Sequence, residues 1–145
     1  MQDSATTAVA HTIQLAVAPV FLLSGVAGLL TVLTGRLARV VDRGRMLEDV
    51  VSHATTETSV RIHTEFEALA ERARLISHAI TFCTITALLI CGVIITLFVS
   101  SLSDLNAAIP TATLFVAAMV TLVIGLVQFL REIFLATATL RIGPH

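Results

Sequence analysis

Residues 13–47 read IQLAVAPVFLLSGVAGLLTVLTGRLARVVDRGRML. The part from 13 to 34 carries no charge and suffices, at about 1.5 Å per helical residue, to cross a hydrocarbon core of roughly 30 Å. Arginines follow at once, at 36, 39, 43 and 45. An apolar run that ends in arginine predicts a membrane span with its C-terminal end on the cytoplasmic side. Two more apolar runs, 80–99 and 111–130, fit the same description.

The charges extend this reading to the whole chain. All nine basic residues are arginines confined to 36–74 and 131–141. Basic residues beside spans stay inside, so the N-terminal tail 1–12 is expected outside, the segment 35–79 inside, the loop 100–110 outside and the tail 131–145 inside. The predicted inner side sets nine arginines against eight acids, whereas the outer side holds only Asp3 and Asp104. Across 145 residues, 56% are hydrophobic and 13% charged, and the mean hydropathy is +0.93. A soluble domain carries about 25% charged residues, so the lipid bilayer is the expected surroundings. The formal net charge of −1 excludes the basic field of a nucleic-acid binder. The first run lacks a basic segment before it and exceeds the core of a signal peptide, so it reads as a retained span. Pro19 falls in its outer half, where a neighbouring helix must cover the freed carbonyl.

The inner segment has its own pattern. No glycine or proline occurs between Gly44 and Gly92. Leu33, Leu37, Val40, Gly44, Leu47 and Val51 form an apolar stripe spaced 4-3-4-3-4, as do Ile62, Phe66, Leu69, Ala73, Ile76 and Ile80. Such heptads are the seam of packed, coiled-coil-like helices. Between the stripes, residues 52–59 are rich in cap and turn formers. Asp42–Arg45, Arg45–Asp49, Arg61–Glu65 and Glu71–Arg74 are spaced for pairing along the outward faces. The predicted fold is therefore all-α: three transmembrane helices with a long cytoplasmic antiparallel helical hairpin between the first and second spans. Amphipathic helices lying on the membrane surface are the other arrangement compatible with these stripes.

Three segments carry a resemblance to a known family. Residues 13–23 (IQLAVAPVFLL), the run 36–45 (RLARVVDRGR) followed by Leu47 and Glu48, and residues 71–80 (ERARLISHAI) resemble a bacterial membrane family, domain of unknown function 2721. With the three-span layout the likeness covers nearly the whole chain. It implies a small protein of the bacterial inner membrane and supplies no catalytic residues.

Candidate functional residues come from helical projection. Gln14, Ala18, Gly25, Gly28, Gly35, Arg36, Arg39 and Arg43 share one broad face of the first helix, small and polar first and then basic. Small residues let helices pack closely in lipid. In a homo-oligomer the same face could instead line an ion path, with the arginines ringing its inner mouth. On the third span Ala118, Thr121, Gly125, Gln128 and Glu132 recur at 3-4-3-4, a pattern suited to packing with hydrogen bonds between helices.

Mid-span ionisable groups, the usual mark of coupled transport, do not occur in the three predicted spans. Cys83 and Cys91 stand more than two helical turns apart, too far for a disulfide, and read as small hydrophobes. His53 and His63 read as solvated hairpin residues, and His78 as an interfacial ring. Enzyme and metal-binding motifs are absent, so no catalytic residue or cofactor is expected. Two functions remain open: an ion-conducting homo-oligomer, or a membrane-anchored scaffold whose hairpin binds a cytoplasmic protein.

Overall fold

A computed structural model describes the backbone of residues 2–51, 56–103 and 106–140, and the side chains of 6–50, 64–103 and 106–137. Three helices make up the fold: α1 (Gln2–Val51), α2 (Thr56–Ser103) and α3 (Ala108–Leu140). All three are long and apolar enough to cross a membrane. In lipid a helix meets its own backbone hydrogen bonds, which is why unbroken apolar runs adopt this form. Large apolar side chains stay exposed on every helix, among them Phe21, Leu88 and Val116. Water would penalise such a surface, whereas acyl chains match it.

The chain divides into two compact units, and every helix contributes to both. Unit 1 comprises Met1–Leu30 and Phe82–Val123. Its buried residues on α1 are Thr12, Ala16, Pro19 and Val26; on α2 they are Cys83, Thr86, Ile90 and Val93, and on α3 Ala118. Pro19 is accommodated inside a continuous helix. Hydroxyls cross-link α2 and α3: Thr86 Oγ1 lies 2.8 Å from Thr121 Oγ1, and Thr111 donates to Thr96 at 3.1 Å. Thr86 also donates to the Phe82 carbonyl at 2.9 Å. Thr86→Val keeps the shape and removes the shared hydroxyl, leaving Thr121 bonded within its own helix. A loss of about 1 kcal/mol is expected, the scale of inter-helix hydrogen bonds in membranes. Denaturant titration of the purified variant checks this.

Unit 2 comprises Thr31–Thr81 and Ile124–His145. Its α1 seam follows the heptad reading: Leu33, Val40 and Leu47 are buried, and Leu37 and Gly44 are half-buried. On α2, Ile76 is fully buried, while Phe66, Leu69, Ala73 and Ile80 are half-buried. Ala79, not Ile80, takes the next fully buried place. The expected turn at 52–59 falls wholly outside the residues described with side chains, as do His53 and His63. Its last four residues, 56–59, belong to α2, and 52–55 lie outside the described residues.

Three boundaries differ from the sequence reading. The N-terminal stretch read as a tail is helical from Gln2. No glycine and no proline precedes Pro19, and Thr12 is buried with its hydroxyl on the Ala8 carbonyl at 3.0 Å. The loop read as 100–110 is shorter, because α2 runs to Ser103 and α3 starts at Ala108. Pro110 sits in the first turn of α3, where its missing N–H costs nothing, and Asn106 Oδ1 accepts from the Ala108 N–H at 3.3 Å. Finally, the C-terminal tail begins inside a helix: α3 continues to Leu140, uninterrupted by glycine or proline until Gly143. The segment 35–79 therefore packs in unit 2 with a third helix that a two-helix hairpin lacks.

Candidate functional site

The third neighbour brings in Glu132, fully buried on α3. It ends the Ala118, Thr121, Gly125, Gln128 stripe, in which Ala118 and Gly125 are also buried and Thr121 and Gln128 half-buried. A buried carboxylate without a cation would be untenable, and two arginines answer it. Arg36 of α1 donates through Nη1 to Glu132 Oε2. Arg72 of α2 donates through Nη2 to Oε1 at 3.1 Å, with its Nε at 3.4 Å. One carboxylate thus ties all three helices of unit 2. The Arg36 guanidinium also stands 5.4 Å from the centroid of the Phe129 ring, a cation–π placement. Nearer the C-terminal end of α1 and the N-terminal end of α2, Arg43 pairs with Glu65 at 3.0 Å, both side chains well exposed.

Two hollows flank this clamp. One, of about 210 Å³, is lined by Arg36, Arg39, Arg43, Arg72 and Glu132. The other, of about 620 Å³, shares three of those arginines and Leu69 with it and adds apolar walls from Ile133 and Ala136. A third, of about 590 Å³, contains Gln128 with Glu71, Arg74, His78 and Arg131. Gln128 Oε1 is buried with no hydrogen-bond partner among the described residues. In unit 1 a hollow of about 760 Å³ is walled by Pro19, Leu97, Phe115 and Thr111, and the Ser101 hydroxyl beside it has no hydrogen-bond partner among the described residues.

The residues proposed from helical projection separate in the structure. Gln14, Ala18, Gly25, Gly28 and Gly35 are exposed, and a Cβ built on any of the three glycines would meet nothing within 4 Å. Arg36 is half-buried and Arg43 exposed, each engaged by a carboxylate. Arg39 is exposed and has no ion pair among the described residues. Thr121, Gly125 and Gln128 belong to the packed side of α3. Sequence reasoning missed the partnership of Arg72 with Glu132. The signal was present: Glu132 falls in register with a stripe of packing residues, and a carboxylate on a packed face demands a cation from a neighbour.

Fold and site together define a multi-pass helical membrane protein whose helices are pinned by a buried arginine–glutamate–arginine clamp. The chain belongs to the family described as protein of unknown function (DUF2721), which it matches over residues 16–142. No curated protein and no solved structure matches it.

Proposed function

We propose that the protein is a homo-oligomeric, non-enzymatic ion channel of the bacterial inner membrane, assembled through the small-residue face of α1. The N-terminus would lie outside and the C-terminus in the cytoplasm, an orientation that the arginine distribution supports. One observation carries the reading: Gly25, Gly28 and Gly35 are exposed with open space over each, whereas the seam of the same helix is buried. Small residues facing lipid waste their capacity for close approach, and a second copy of α1 would use it. Gln14 would stand near the outer mouth of the enclosed path. At the inner mouth Arg36 and Arg43 are each engaged by a carboxylate, so Arg39, with no ion pair among the described residues, would present the freest charge. A ring of such arginines attracts anions.

Conductance of the purified protein in a planar bilayer tests this. The wild type is expected to pass discrete, anion-preferring currents, and Arg39→Glu to turn the preference toward cations. Gly28→Leu should abolish both oligomer and current while the single chain still folds, since its side chain enters open space. A monomer in nanodiscs, or no current, ends the channel reading.

A second reading, a membrane-anchored scaffold, is favoured by helix length. α1 and α2 have 50 and 48 residues, where about 20 cross a bilayer. The surplus would form a cytoplasmic hairpin offering its outer faces to a protein partner. In that case a co-purifying protein should be lost when Leu69→Pro breaks the α2 arm.

A further inference from the structure

We propose that unit 2 contains a binding site for the phosphoryl group of an anionic membrane phospholipid, held by Arg36, Arg39, Arg43 and Arg72. Charge imbalance is the first argument. These four guanidinium groups border the adjoining hollows with only two carboxylates, Glu65 and Glu132, leaving two positive charges in excess. Because Glu132 is buried and shared by Arg36 and Arg72, it offers nothing to the others. Each guanidinium carries five N–H donors, and the ion pairs occupy few of them. Arg36 spends one nitrogen on Glu132, Arg43 spends one on Glu65, and Arg39 forms no ion pair among the described residues. Forked donors converging on a small hollow suit the tetrahedral oxygens of a phosphoryl group.

Shape and depth favour a lipid over free phosphate. The arginine-lined hollow of about 210 Å³ adjoins one of about 620 Å³ through Arg36, Arg43 and Arg72. Leu69, Ile133 and Ala136 make the larger hollow apolar on one side, as a glycerol backbone and the start of an acyl chain require. Arg36 and Glu132 fall within one helical turn of the ends of the apolar runs 13–34 and 111–130, which places the Arg36 end of the site at headgroup level, with Arg39 and Arg43 about one and two turns further along α1. Basic pockets between helices at that depth suit anionic headgroups. The inference does not depend on conduction; a phosphoryl group held by Arg39 would occupy the charge that the channel reading gives to the ion path, so the site fits the scaffold reading more directly.

The test titrates the full-length protein in mild detergent with phosphatidylglycerol, with phosphatidylcholine, and with inorganic phosphate at constant ionic strength, reading the unfolding midpoint. Phosphatidylglycerol should raise the midpoint saturably and phosphatidylcholine should not. Arg39→Gln and Arg43→Gln should each weaken the apparent affinity by about tenfold, the scale of one charge-assisted hydrogen bond. Arg45→Gln, outside both hollows, should leave it unchanged. Neither test substitution touches the Glu132 clamp, so both variants are expected to fold. An equal response to inorganic phosphate would overturn the lipid assignment in favour of a soluble anion. An equal response to phosphatidylcholine, or affinity indifferent to Arg39 and Arg43, would overturn the site.

Discussion

Replacing Glu132 with alanine is expected to lower the stability of the purified protein by about 3–5 kcal/mol, the scale for breaking a buried ion pair by removing one partner. Glu132 is fully buried, and its carboxylate is the meeting point of Arg36 from α1 and Arg72 from α2. Without it, two guanidinium groups are left side by side, only 33% and 25% exposed, with no anion between them. Both the lost attraction and the new repulsion act against the three-helix arrangement of unit 2. Replacing the whole clamp behaves differently. Arg36→Met, Arg72→Met and Glu132→Leu together remove three desolvated charges, so the triple variant should recover most of the loss. Loss of helical signal during titration of each variant from mild detergent into a denaturing one measures both effects. A Glu132→Ala protein within roughly 1 kcal/mol of wild type would mean that the clamp does not hold the helices together.

Ile76→Ala is expected to cost about 2–5 kcal/mol, the range for deleting a buried aliphatic side chain and leaving a cavity. Ile76 has no exposed surface, and Leu33, equally enclosed, belongs to the same unit. In lipid the transfer term shrinks, because acyl chains resemble a protein interior, and lost contact dominates. Leu88→Ala is the control: its side chain is 68% exposed on the same helix, and its loss should stay within about 0.5 kcal/mol. The same titration compares the two. Equal losses would show that α2 does not turn its Ile76 face inward.

Much of this was legible in advance because it depends on local periodicity. Leu33, Val40 and Leu47 recur every seven residues, a spacing that places them on one helical face whatever that face meets. Three apolar runs imply three helices by the same logic, since a bilayer allows few other forms. The boundaries were less legible. Residues 2–11 look like a polar tail until Thr12 is seen buried in unit 1. Ser100, Ser101 and Pro110 carry turn propensity, yet helix covers all three, because the helix ends pack and capping falls to Asn106. The basic face of α1 was legible as a face but not in its chemistry. Projection groups Arg36, Arg39 and Arg43, and gives no warning that two of them are engaged by carboxylates on other helices.

By itself the sequence determined which residues are helical cores, where the membrane-competent runs lie, and which side of each run bears charge. These follow from hydrophobicity and from a repeat of 3.6 residues per turn, both properties of neighbours along the chain. Tertiary structure decided the rest. Arg36 is separated from Glu132 by 96 positions and Arg72 by 60, so no local pattern could pair them. Their meeting depends on α3 continuing to Leu140 and burying a carboxylate that two other helices must answer. Desolvation makes that pairing compulsory, and desolvation is a property of the packed chain alone.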